Sequence, residues 1–156
     1  MAIDYSWLEE NVVKRQLAEG EKEKLGGLLL EKNVAKNDHI LTQGQAGGVL
    51  YILRSGRANI NVDANGQHMH IAAAKEGALF GEITFLTGDA ATANVIAAED
   101  CTVYKLARED CSELMQTAPE LVYVFMAAML VNAAKVIRSK DADHASMLQY
   151  MGTSHK

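Results

Sequence analysis

The sequence predicts an α+β protein: an antiparallel β-roll of the double-stranded β-helix or jelly-roll type, flanked by N-terminal helices and a long C-terminal helix. Three observations carry this. From Val34 to Leu106, short β-like runs are broken by Gly, Asn and Asp about every 8 to 12 residues. Apolar residues at helical spacing lie on either side of that stretch. No internal repeat, low-complexity tract or linker interrupts the 156 residues, which fit one domain over 1–156, with the β-roll at about 30–107 and the C-terminal helices at about 108–150.

Taken in order, Ser6-Trp7-Leu8-Glu9 offers an N-cap with Glu9 at the capping-box position, and Leu8, Val12, Val13 and Leu17 follow at helical spacing. A second helix is predicted from Gly20 through Leu30, acidic at its start as the macrodipole prefers. Eight strands follow: Leu30–Ala35, His39–Thr42, Val49–Ser55, Arg57–Asp63, His68–Ala74, Ala78–Phe80, Asn94–Ala98 and Thr102–Ala107. Asp63-Ala64-Asn65-Gly66 between two alternating runs predicts a hairpin with a primed turn. A short helix from Ala107 to Met115 precedes Pro119, the only proline, which suits a first helical turn and so should open the long helix.

That helix is predicted to run through Ile137 and on toward Tyr150. Val122, Met126, Met129, Ala133 and Val136 follow alternating steps of four and three along it, a coiled-coil-like stripe, while Leu121, Phe125, Leu130, Ala134 and Ile137 lie elsewhere around it. One side can cover the β-roll and the other can meet a partner helix, so a two-fold homodimer through this helix is expected. A single wide core-facing stripe is the simpler alternative.

The composition, 49% hydrophobic and 22% charged, is that of an ordinary globular protein. A net charge of −5 offers nothing broad to nucleic acid or anionic membrane. The start carries an early acid and no apolar h-region, and the longest near-apolar run, Leu121 to Val131, is too short to span a bilayer. Cys101 and Cys111 lack metal-ligand spacing and suit reduced thiols, so a cytoplasmic location without membrane insertion is expected.

Two segments carry chemistry. Gly44 to Ala58 reads as a Gly-rich turn, a buried strand, a tight turn and a second strand. Phe80-Gly81-Glu82-Ile83-Thr84-Phe85-Leu86-Thr87-Gly88 has the layout of a cradle: a glycine lets backbone N–H groups approach an anion, and the adjoining carboxylate suits a sugar hydroxyl. No cationic residue lies between Lys75 and Lys105. Together, Gly-x-x-Gly-x-x-Leu-Tyr-Ile-Leu-x-Ser-Gly and Phe-Gly-Glu-Ile-x-Phe-Leu-x-Gly resemble the cyclic-nucleotide-binding domain, the family of the catabolite activator protein and the regulatory subunits of cyclic-AMP-dependent kinase. The resemblance spans roughly residues 20 to 140.

The resemblance implies that Gly81 and Glu82 contact ribose and phosphate and that Ile83 and Thr84 open a short helix whose N–H groups face the anion. Aligned without gaps, Ala90 falls at the family's proline, Ala91 at its phosphate-binding arginine, and Thr92 and Ala93 at the small residues that follow. A charge-assisted hydrogen bond is worth roughly 1.5–3 kcal/mol. Binding of cyclic AMP or cyclic GMP is therefore expected to be weak, by about ten- to a hundredfold or more. Glu82 could instead cap its helix. Thr92 and Asn94 could serve a ligand or the strand's own backbone. Arg54 and Arg57 could replace the missing cation, although they flank a turn expected to lie far from the cassette.

His68 and His70 share a strand face without a third ligand, so a solvated hairpin is expected and no metal. No Ser/His/Asp or Cys/His arrangement, Walker loop or paired-carboxylate site can be assembled, so no enzyme is expected. Few residues follow the apolar part of the long helix, and Ser139 to His144 alternate in charge, so DNA binding is not expected either. These readings converge on a non-catalytic regulatory or adaptor protein that signals to a separate effector. The alternative is an interaction module that has lost its ligand.

Overall fold

The computed structural model describes residues 3–152, with the side chains of 136, 137 and 139–152 outside that description. Asp4 opens helix α1 (Tyr5–Leu8) by accepting the Trp7 N–H at 3.0 Å. The N-cap is thus Asp4 and not Ser6, because Asp4 is itself held by its own N–H donating to the Tyr104 hydroxyl. A π-helical turn, Glu9–Val13, follows and stops at Lys14, whose φ of 58° is left-handed. Helix α2 (Glu19–Leu28) is anchored by Glu21, which accepts the Ala18 N–H and a two-pronged bond from Arg15.

Eight strands follow: β1 (Leu30–Val34), β2 (His39–Leu41), β3 (Val49–Ser55), β4 (Ala58–Ala64), β5 (Gln67–Ala74), β6 (Leu79–Phe80), β7 (Asn94–Ala97) and β8 (Cys101–Ala107). Asn65 and Gly66 join β4 to β5 with φ of 53° and 76°, the two positive angles of the predicted primed turn. The expected β-roll does not form. The strands divide into two four-stranded antiparallel sheets, ordered β1-β8-β3-β6 and β2-β7-β4-β5, and neither is closed or curled into a roll.

Alternation along the strands sorts the core into two layers. Val34, Leu53, Phe80, Cys101 and Val103 of the first sheet meet Ile40, Ala58, Ala74, Val95 and Ala97 of the second. On the opposite face of the first sheet, Leu50, Ile52, Leu79, Tyr104 and Leu106 pack against Leu8, Val12, Leu25, Leu114, Leu121 and Phe125 from the helices. Helix α4 (Arg108–Thr117) leaves β8 directly, and Pro119 opens α5 (Pro119–Gly152) as predicted. No helix among the described residues is long and apolar enough to cross a membrane.

Candidate functional site

The two sequence motifs meet in space. The Gly44 N–H donates to the Ala91 carbonyl at 2.8 Å, the Ala91 N–H to the Gln45 carbonyl at 2.9 Å, and Ala46 bridges Ala90. Between them lies helix α3 (Glu82–Thr87), entered through Gly81 at φ 75° and left through Gly88 at φ 81°. A Cβ on Gly81 would stand 2.6 Å from the Val49 carbonyl oxygen, and one on Gly47 would stand 2.5 Å from the Asp89 carbonyl oxygen and closer still to Thr84. Both glycines are thus required by close packing. Thr84, buried, donates its hydroxyl proton to the Gly81 carbonyl at 2.9 Å. At the other end of α3, Arg108 donates to the Leu86 carbonyl at 3.3 Å and fills the space left by the missing side chain of Gly88.

A cavity of about 180 Å³ opens beside α3. Gly81, Glu82, Ile83, Thr84, Thr92 and Ala93 line it, with Leu41, Ile60, Ile71 and Val95 among its apolar walls. Six of the seven expected cassette residues therefore share one space. Ala91 does not line it: the residue is buried, 4% exposed.

Burial pushes the Glu82 carboxyl above the ordinary carboxylate range, an effect partly offset by its own backbone N–H. Gly81, not Glu82, occupies the N-cap position, and no side chain caps α3 there. No lysine or arginine among the described residues lines the cavity. Arg54 pairs with Asp4 at 2.6 Å and lies over Trp7, and Arg57 pairs with Glu99 at 3.2 Å, so both are engaged elsewhere. Asn94 serves the fold, accepting the Gln43 N–H at 2.9 Å and donating to Asp63 at 3.0 Å. Thr92 is exposed at the cavity mouth. His68 bonds Asp63 and His70 bonds Asn61, and no group of three metal-ligating side chains occurs among the described residues.

Two residues at this site were not read from the sequence. Asn132 of α5 lines the cavity and donates to the Leu79 carbonyl at 3.2 Å, tying the long helix to the cassette. Arg108 links α3 to α4. The one available signal was a lone amide within the apolar run of α5. Of the expected helix stripe, Val122 and Met129 are buried in the chain's own core, Ala133 is partly buried and Met126 is exposed; the Val136 side chain lies outside the described residues. The exposed apolar surface of α5 runs instead through Tyr123 (73%), Met126, Leu130 (71%) and Val131.

The architecture is α+β, with helices packed on one face of paired sheets and a Gly-Glu cradle opening α3. The model of the cyclic nucleotide-binding domain family matches residues 31–118, more than half of the chain, and the chain belongs to that family. It is 33% identical over 105 residues to a cyclic AMP receptor protein of Thermus thermophilus, covering 67% of this chain and 47% of that protein. It is 25% identical over 132 residues to a cGMP-dependent protein kinase of Toxoplasma gondii, covering 85% of this chain and 13% of the kinase. The chain thus spans less than half the length of either relative. A cyclic nucleotide-binding domain from Methylobacillus flagellatus shares the fold at a TM-score of 0.70 and 17% identity, over 94% of this chain and 81% of that one.

Proposed function

We propose that this chain is a single-domain regulatory or adaptor module of the cytoplasm, in which occupancy of the cassette cavity is passed to α5 and on to a separate effector protein. The observation that carries this is Asn132: one residue of α5 both lines the cavity and is bonded to the strand beneath it. A ligand that fills the cavity thereby acts on the position of α5, and Arg108 offers a parallel link through α4. A switch requires the ligand to favour one helix position over another. The exposed Tyr123, Met126 and Leu130 supply an apolar seam for a two-fold homodimer.

Thermal unfolding with cyclic AMP and cyclic GMP tests the sensing role. A ligand at 100 times its Kd adds about 2.7 kcal/mol, or roughly 5–11 °C at ~2–4 °C per kcal/mol for a chain of this size. Thr92→Arg sets a cation at an exposed position on the cavity wall and is expected to strengthen cyclic AMP binding about ten- to a hundredfold. A second reading, a protein-interaction module that binds no nucleotide, draws support from the cavity's small volume and uncharged walls around one carboxylate. Absence of any shift at millimolar ligand, in both proteins, selects that reading.

A further inference from the structure

The polar groups of the cassette cavity are weighted toward accepting hydrogen bonds. Glu82 contributes a carboxylate that receives no side-chain donor from another described residue. Thr84 has committed its hydroxyl proton to Gly81, leaving only lone pairs. Asn132 spends one amide N–H on the Leu79 carbonyl and retains its second N–H and its carbonyl oxygen. Only Thr92, exposed at the mouth, retains a free hydroxyl proton. Helix α3 has six residues, and the first of its N–H groups faces the Glu82 carboxylate. Around these groups the walls are apolar: Leu41, Ile60, Ile71 and Val95.

We infer that this cavity takes an uncharged ligand that brings hydroxyl donors and an apolar ring face, a nucleoside rather than a cyclic nucleotide; the inference rests on the sensing role proposed above. An anion placed here meets a partly buried carboxylate with no cation to offset it, and like charges at close range in a low-dielectric site repel strongly. A sugar hydroxyl meets the same carboxylate as a donor meeting a charged acceptor, the stronger kind of hydrogen bond. Size agrees. At about 180 Å³ the cavity lies below the roughly 300–1,000 Å³ of pockets that enclose drug-sized molecules, so it seats a sugar and leaves an attached base against its open apolar rim. Burial also raises the cost of keeping Glu82 charged beside a second negative group.

Calorimetric titration of the full chain with adenosine, guanosine, cyclic AMP and cyclic GMP tests this. The expected result is that one nucleoside binds at least tenfold tighter than its cyclic nucleotide. Glu82→Gln should shrink that ratio about tenfold by weakening the nucleoside and relieving the nucleotide. Thr92→Lys, at an exposed position where folding is not at risk, should shift the preference toward the cyclic nucleotide. Cyclic nucleotide binding as tight as nucleoside binding overturns the inference and leaves the sensing role standing. No heat from any of the four compounds at millimolar concentration, for a chain that circular dichroism shows to be folded, overturns both.

Discussion

Gly47→Ala is the most informative single change in the cradle. The added methyl would sit 2.5 Å from the Asp89 carbonyl oxygen and 2.7 Å from Thr84 Oγ1, and closer still to Thr84 Cβ. Two of these are fixed points: a backbone carbonyl and the branch atom of a buried threonine on α3. Neither is the tip of a flexible side chain, so α3 or the loop carrying Gly47 has to shift. Overpacking of this kind costs about 1–3 kcal/mol, which lowers the melting temperature by roughly 2–12 °C for a chain of 156 residues. Gly27 supplies the control. It lies exposed in α2, and a methyl added there would have nothing within 4 Å, so Gly27→Ala should instead stabilise by about 0.5–1 kcal/mol. Differential scanning calorimetry of the two variants reads the contrast directly. A Gly47→Ala protein that melts within a degree of the parent would refute the claim that close packing holds this cradle.

Three further outcomes are expected. Arg15 holds the Glu21 carboxyl down to about 2 from an ordinary 4.5; the stabilisation is present above 4.5 and is lost as pH falls toward 2. Solvent at the half-exposed Arg15 reduces its worth to about 1 kcal/mol, so the stability gap between the parent and Glu21→Gln should close across that window in a pH series of urea titrations. Asn132→Ala removes the bond to the Leu79 carbonyl and should cost about 0.5–1.5 kcal/mol by urea denaturation, with faster amide exchange in α5; unchanged exchange would detach that helix from the cassette. Leu130→Glu places a charge on the exposed seam of α5, so a parent that sediments as a dimer should become a folded monomer, and a parent that is already monomeric removes the dimer.

The strands were legible in the sequence almost to the residue, because two-residue alternation and turn glycines are local signals. Their partners were not. β1 pairs with β8 and β2 with β7, joining chain segments far apart in sequence, and alternation reports which face a side chain takes but not which strand lies beside it. That is why a roll was expected where two separate sheets formed. The first helix shows the same limit on a small scale: both Asp4 and Ser6 suit an N-cap, and the hydroxyl of Tyr104, 100 residues away, favours Asp4. At the site, Gly81 and Glu82 were readable from their own motif. The burial of Ala91 away from the cavity and the arrival of Asn132 depend on tertiary packing, which no local pattern encodes.

Three of the glycines that identify this cradle are held by a protein contact: Gly47 by Thr84 and Asp89, Gly81 by Val49, Gly88 by Arg108. Substituting any of them harms the fold whether or not a ligand is ever bound. Selection for stability alone would therefore preserve the motif through a complete change of cargo, while the side chains on the cavity wall drift freely. The glycine pattern reports the fold, and Glu82, Thr92 and their neighbours are where the chemistry of the proposed ligand would be written.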